Sequence, residues 1–328
     1  MTKESGCPPA PDRIPSPLSR PRTSGSRTGS APLNFASPNN MKSHSAIPFG
    51  VACSLLVLFL CAALVAQDSS SRAPKQPGIQ DNSFLVEEAY NQNFGVVQHI
   101  SSFTRFWNSK DWVYTFTQEW PVPGDERHQL SYTLAFQHVG AFPGSGSGIG
   151  DVLLNYRYQL VGSGDALVAF APRLSVIFPT GDTSLGRSAG GFGVQTSLPM
   201  SVVLTPKLVS HWNAGATFVP NAQDASGDHA FTAGYNLAQS FIWLAKPRLN
   251  FMLETVFANT QSVAAPDKTA WGRSLLVNPG IRWAYNFENG LQIVPGIAVP
   301  IGVGPSAGEK AILLYLSFEH PFRKIPKK

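Results

Sequence analysis

Apolar and polar residues alternate along this chain from about Val97 to Phe322, through short segments separated by turns. In Asp151 to Leu160, Val152, Leu154, Tyr156, Tyr158 and Leu160 share one side, with Asp151, Asn155, Arg157 and Gln159 on the other. Successive strand residues point to opposite faces, so this alternation is a physical partition. The same sorting sets Leu174, Val176 and Phe178 against Arg173 and Ser175, and Leu253 and Phe257 against Glu254. It also sets Trp283 and Tyr285 against Arg282, and Leu314, Leu316 and Phe318 against Tyr315 and Glu319.

Read this way, the chain predicts strands over 96–107, 111–122, 128–139, 150–161, 166–179, 192–204, 208–220, 230–243, 248–260, 274–286, 290–301 and 311–322. Each is long enough for the roughly 9–11 residues that a tilted membrane strand needs. Tight turns at 162–165, 205–207, 245–247 and 288–290 alternate with polar connections at 140–149, 180–191, 221–229, 261–273 and 302–310, which are expected to be long loops. Short turns at one end and long loops at the other mark an antiparallel up-and-down transmembrane β-barrel, with both termini in the periplasm. Asn108-Ser109-Lys110 breaks the rhythm, being short where a long loop is expected. Aromatic residues gather at strand ends in two groups, as interfacial girdles do. Trp120, Trp243, Tyr285 and Phe322 belong to one rim; Trp112, Phe178, Phe218 and Phe231 belong to the other. A soluble β-sandwich is the rival fold. Pro172, Pro279 and Pro295 fall inside predicted strands, where each removes a ladder donor, so bulges or bends are expected there.

The leader supports export. Residues 1–40 are rich in Pro, Ser and Arg without apolar periodicity, and read as a disordered upstream extension with Met41 as the true start, a genuinely long leader from Met1 being the alternative. Residues 41–66 read as a signal peptide cut near Ala66, because the apolar run from Val51 to Ala63 is short for the ~20 residues of a spanning helix. An uncleaved anchor is the alternative. Leu60 before Cys61 argues against a lipoprotein. Residues 67–95 form a periplasmic N-terminal segment, either a plug entering the lumen or a lead-in to the first strand.

Charge and cysteines then narrow the chemistry. Of the net charge of +5, most belongs to the leader, where Lys3, Arg13, Arg20, Arg22, Arg27 and Lys42 face only Glu4 and Asp12. The rest of the chain is nearly neutral, which gives no support to nucleic-acid binding. Cys7, Cys53 and Cys61 all precede the proposed cut, so the exported part carries no thiol. The seven histidines are scattered, without ligand spacing, so no metal and no cofactor is expected.

Two short motifs add a resemblance. Phe178-Pro179-Thr180-Gly181-Asp182 closes a strand before a Gly-rich loop. It resembles the Pro-Thr-Gly-Asp hallmark of the family named for the meta-pathway of phenol degradation. Gly148-Ile149-Gly150-Asp151, followed by Asn155-Tyr156-Arg157, is similar to the same family. The resemblance covers most of 85–322. It implies an outer-membrane barrel that passes hydrophobic or aromatic compounds, with outer-membrane lipid and the barrel-assembly machinery as partners. The chain departs from many barrels at its end, where a basic tail, 323–328, follows the terminal aromatic Phe322.

The candidate chemistry lies on the polar face. Glu119, Asp151, Arg157, Arg173, Glu254, Arg282 and Glu319 point to the lumen, with Arg157 and Arg173 on neighbouring strands, as are Glu254 and Arg282. They form either a constriction that selects solutes by charge or a set of mutually neutralising groups that fill the barrel. A plugged structural barrel without transport is a second reading of the whole. A lipase-like enzyme, resting on His99 and Ser101, is a third and weaker one.

Overall fold

The computed structural model describes residues 79–140 and 145–322. The upstream extension 1–40, the signal peptide 41–66 and the tail 323–328 lie outside the described residues, as do residues 67–78.

Seventeen strand segments join in one antiparallel sheet. They are β1 (Val96–Phe106), β2 (Trp112–Val122), β3 (Asp125–Val139), β4 (Gly146–Ile149), β5 (Val152–Tyr158), β6 (Val168–Phe170), β7 (Arg173–Phe178), β8 (Gly193–Ser197) and β9 (Met200–Thr205). Then follow β10 (Leu208–Gln223), β11 (His229–Lys246), β12 (Leu249–Ala265), β13 (Lys268–Trp283), β14 (Tyr285–Asn286), β15 (Gln292–Ala298), β16 (Ile301–Gly302) and β17 (Ala311–Pro321). Several are halves of one stave, as with β4 and β5, which both pair with β3. The result is a closed barrel of twelve strands. Closure runs through β1 and β17, in register from Val96↔Pro321 to Phe106↔Ala311. A closed ladder leaves no open edge, which is what a sheet in lipid requires.

The faces are sorted as the alternation predicts, and inverted relative to a soluble protein. Leu154, Tyr156 and Leu174 are exposed on the outside, while Asn155, Arg157 and Ser175 beside them are buried inside. Trp243, which stacks on Phe251, lies exposed near the end that carries the termini. Phe218 and Phe231 pair near the opposite end. This is the architecture of a membrane-spanning barrel rather than a sandwich, whose core would be apolar.

Four details differ from expectation or refine it. The connection expected as a long loop at 261–273 is a tight hairpin: β12 and β13 stay paired up to Ala265↔Lys268, and Asp267 turns the chain at φ 57°. The 221–229 connection is likewise mostly strand, with β10 reaching Gln223 and β11 starting at His229, and β4 occupies part of 140–149. At this end the ladder continues without the apolar alternation that reveals it in the sequence: Asn259 to Ser262 are all polar, and the inner face at Val219, Ala222, Ala230 and Val263 packs against Ala189. The short connection after β1 is real, since Phe106 N donates to Asp111 O and β1 pairs with β2 throughout.

The prolines act unequally. Ala171 and Pro172 interrupt the stave between β6 and β7, and Pro199 falls between β8 and β9. Pro279 stays inside β13 opposite Leu253, and the interruption falls on the neighbouring stave between β15 and β16. Pro295 remains within β15, where the ladder to β13 stops after Gly296 and resumes through β14 at Ile293.

Candidate functional site: a filled lumen

The lumen is crossed by residues 79–92. This stretch forms no strand, yet Asp81, Asn82, Ser83, Phe84, Val86, Glu88, Ala89 and Tyr90 are buried. Its backbone is bonded by side chains of the barrel wall. Leu85 N donates to Glu254 Oε1 at 2.9 Å, Glu87 N to Asn213 Oδ1 at 2.7 Å and Ala89 N to Ser201 Oγ at 2.8 Å. Asn91 N donates to Gln159 Oε1 at 2.9 Å and Gln92 N to Gln129 Oε1 at 2.8 Å. These acceptors come from strands far apart round the circumference, so the segment runs across the barrel rather than along one stave. Buried backbone groups must find partners, and here the polar inner face supplies them.

The carbonyls are met by arginines. Arg282 Nη1 donates to Asp81 O and Asn82 O, and Nη2 to Ile79 O at 3.3 Å. Arg157 Nη2 donates to Tyr90 O at 2.6 Å, Nη1 to Glu88 O at 3.2 Å and Nε to Asn91 Oδ1 at 2.9 Å. Both guanidinium groups are buried, and a planar fork of donors suits several fixed acceptors at once.

The seven charged candidates sort into distinct places. Arg157 lies opposite Arg173 in register. Glu87 of the segment sits with both: Arg173 Nε is 2.9 Å from Glu87 Oε1 and Arg157 Nη1 is 3.7 Å from it. Ser197 Oγ adds a hydrogen bond to Glu87 Oε2 at 3.1 Å. Glu119 joins this group, 3.6 Å from Arg157 Nη2 and bonded by Gln129 Nε2 at 2.8 Å. Arg173 also reaches Asn155, Ser175 and Gln195. Glu254 and Arg282 are on adjacent strands, but each turns to the segment: Glu254 takes Leu85 N and Asn278 Nδ2, and Arg282 takes carbonyls. Glu319 is half-buried on β17, opposite Gln98 of β1.

Asp151 stands apart from the segment and works with the second motif. Its carboxylate accepts from Gly181 N at 3.2 Å and from Ala189 N at 2.9 Å. Thr180 Oγ1 donates to Gly150 O at 2.8 Å. A Cβ on Gly181 would lie 2.2 Å from Arg187 O, so only glycine lets the chain pass there. Asp182 caps the short 3-10 turn Thr183–Leu185 through Ser184 N, and its carboxylate lies 3.3 Å from Arg187 Nη2. The Ser184 hydroxyl bonded to Asp182 is the main cause that holds this carboxyl below its usual range. Pro179 ends the strand before this turn. The two motifs are thus one unit: the break at Gly150-Asp151 anchors loop 180–191. The loop then reaches over to β10, where Gln223 N donates to Ala189 O at 2.9 Å, and to β3 through Gln137 Nε2 and Arg187 O at 3.0 Å.

His99 and Ser101 are not joined. His99 Nε2 faces His320 Nε2 at 3.3 Å, and Ser101 Oγ is bonded to Tyr114 OH at 3.1 Å. The sequence did not mark Gln129, Gln159, Ser201 or Asn213 as functional, although these hold the segment. Their only signal is their inward position in the alternation.

Comparison with known proteins adds the following. Residues 76–300 match the sequence model of the family described as "Putative MetA-pathway of phenol degradation". No curated protein matches the chain in sequence. Among solved structures, the barrel is similar to the NanC porin, at 12% identity and TM-score 0.45, over 67% of this chain and 98% of that one. It is also similar to the CymD monoaromatic hydrocarbon channel, at 10% identity and TM-score 0.36, over 76% and 99%. A third likeness is to a Pseudomonas aeruginosa FadL homologue, at 8% identity and TM-score 0.32, over 70% and 90%.

Proposed function

We propose, on the premise that the chain belongs to the family of the meta-pathway of phenol degradation, that it is an outer-membrane channel for small hydrophobic or aromatic solutes, closed by residues 79–92. The observation that carries this reading is how the lumen is filled. Residues 79–92 are held by hydrogen bonds to side chains, with no ladder pairing, inside a barrel that is complete without them. Each such bond is exchangeable for water at a net value of about 1 kcal/mol. In this reading the segment leaves while the barrel stays closed, because its departure breaks no hydrogen bond of the ladder. The family's association with phenol breakdown supports the solute class, and the charged groups of the wall act in this reading as seats for the segment.

The apolar belt and the closed ladder support insertion in outer-membrane lipid, with the termini on the periplasmic side. Phe322 is then the aromatic signal for the barrel-assembly machinery, and residues 41–66 are the export signal. A plugged structural barrel is the second reading, and the same filled lumen favours it if the segment never leaves. Planar-bilayer recording separates the two. The full chain should show brief openings, and a variant lacking 79–92 should conduct steadily. A silent deletion variant that still runs as a folded barrel on unheated gels would exclude the channel.

A further inference from the structure

The wall contains a recess cut for one aromatic ring. Gly280 of β13 and Gly296 of β15 are on adjacent staves, in the register that pairs Gly280 with Ala298 and Arg282 with Gly296. Both face inward, against the ring of Phe84. A Cβ on Gly280 would stand 2.5 Å from Phe84 Cε2, and one on Gly296 would stand 2.3 Å from Cε1. Glycine inside a strand marks a close approach by something else, and here that is the distal edge of a phenyl ring, Cε1, Cζ and Cε2. Tyr315 meets the same ring edge-on at 5.4 Å between centroids. Ile242, Met252, Val294 and Leu313 complete a buried apolar cluster around it.

This apolar cluster lies among inner-facing Asn, Gln, Ser, Arg and Glu side chains, including Gln98, Ser240, Asn250, Glu254 and Arg282. Gly296 makes room for the distal edge of the Phe84 ring, and Gly280 makes room both for that ring and for Ala298 Cβ, which would stand 2.7 Å from a Cβ there. The ring that fills the recess belongs to a segment that the ladder does not hold.

We infer that this recess is the binding site for the benzene ring of a solute, and that Phe84 occupies it in the closed state as a stand-in. One ring fits at a time, so solute entry and Phe84 departure are linked. A solute that binds only after Phe84 leaves draws the segment out by mass action. Its apparent affinity in the intact protein is reduced by the fraction of time that Phe84 is away. This inference rests on the channel reading above, but its test does not require conduction.

The probe is fluorobenzene, observed by fluorine NMR with the full chain in detergent. Phe84→Ala leaves an apolar, ring-sized vacancy of the kind that takes up benzene. This variant should show saturable binding, at least about tenfold tighter than the unaltered protein, equivalent to about 1.4 kcal/mol. Adding Gly296→Val to Phe84→Ala should fill the recess and abolish the saturable part, leaving only partition into detergent. Equal binding by the single and double variants would overturn the inference. A second measurement needs no variant: fluorobenzene should speed amide exchange of residues 82–90 in the unaltered protein, and unchanged exchange would also overturn it. Saturable ring binding alongside a silent deletion of 79–92 would remove the channel reading and leave the recess. Steady conductance by that deletion, without ring binding, would do the reverse.

Discussion

Arg282 Nη1 donates at once to two successive carbonyls, Asp81 O at 2.8 Å and Asn82 O at 2.6 Å. A side chain of the barrel wall thereby fixes the backbone at the start of the luminal segment, while Tyr315 OH and Gln98 Nε2 fix the Asp81 carboxylate at 2.8 and 2.7 Å. Replacing Arg282 with Met keeps the bulk and removes every donor. The orphaned carbonyls should then cost about 3 kcal/mol, within the range for buried groups losing a charged partner. Hydrogen exchange of residues 79–85 should rise by a factor of about 100. Arg282→Lys, a compact charge without the fork, should fall between. Unchanged exchange in the Met variant would show that the segment is held elsewhere.

Glu87 neutralises two arginines that face each other across β5 and β7. Glu87→Gln leaves Arg173 without its carboxylate and the buried Arg157 with Glu119 as its one remaining counter-charge. The expected destabilisation is about 3 kcal/mol, as for breaking other buried ion pairs. Arg173→Gln alone should cost less, because Arg157 and Ser197 still hold the carboxylate. The two changes together should cost less than their sum, because each removes the same contact. Strict additivity in urea titrations of the refolded barrel would contradict this arrangement.

Asp151 ties loop 180–191 to the wall through Gly181 N and Ala189 N. Asp151→Ala should free the loop, at a cost of about 3 kcal/mol for two hydrogen bonds to a charged acceptor. Protease cleavage within 183–187 should quicken while the barrel stays intact. Asp182 adds a pH dependence. Its carboxyl is held below the ordinary value of 3.8, chiefly by the Ser184 hydroxyl. Its contribution to loop order is therefore complete above that value and fades as pH falls through the lower folded value. Protection of the Ser184 amide, corrected for intrinsic exchange, should follow this course; protection that weakens already near neutrality would contradict it.

Much of the barrel is legible in the sequence because lipid and lumen impose opposite demands on neighbouring residues. Leu154 and Asn155 differ in one position and in everything else: one is exposed outside and the other buried within. The lumen's contents are not legible in the same way. Gln159 and Asn213 would be inward and polar whether they faced water or a backbone N–H, so the pattern does not reveal the segment they bind. Gly280 and Gly296 read as weak points in strands until Phe84 is placed against them. The hairpin at Pro266-Asp267 was hidden for another reason. Asn259 to Ser262 carry no apolar alternation, although their ladder is intact.

The orientation of the two faces can be tested at a single adjacent pair. Leu154 is exposed on the outer surface of β5, paired with Tyr132 and Val176, at the level of the apolar belt. An arginine there must be buried in hydrocarbon or bend towards the interface. Leu154→Arg should therefore destabilise the barrel by about 2–4 kcal/mol in lipid vesicles. In a detergent micelle, where the surface deforms easily, the loss should be smaller. Asn155→Leu makes the complementary change inside. It removes the acceptor for Arg173 Nη1 and the donor to Ser131, so its effect should not depend on the lipid. If Leu154→Arg proved harmless in lipid while Asn155→Leu carried the lipid dependence, the apolar face would not be the outer one.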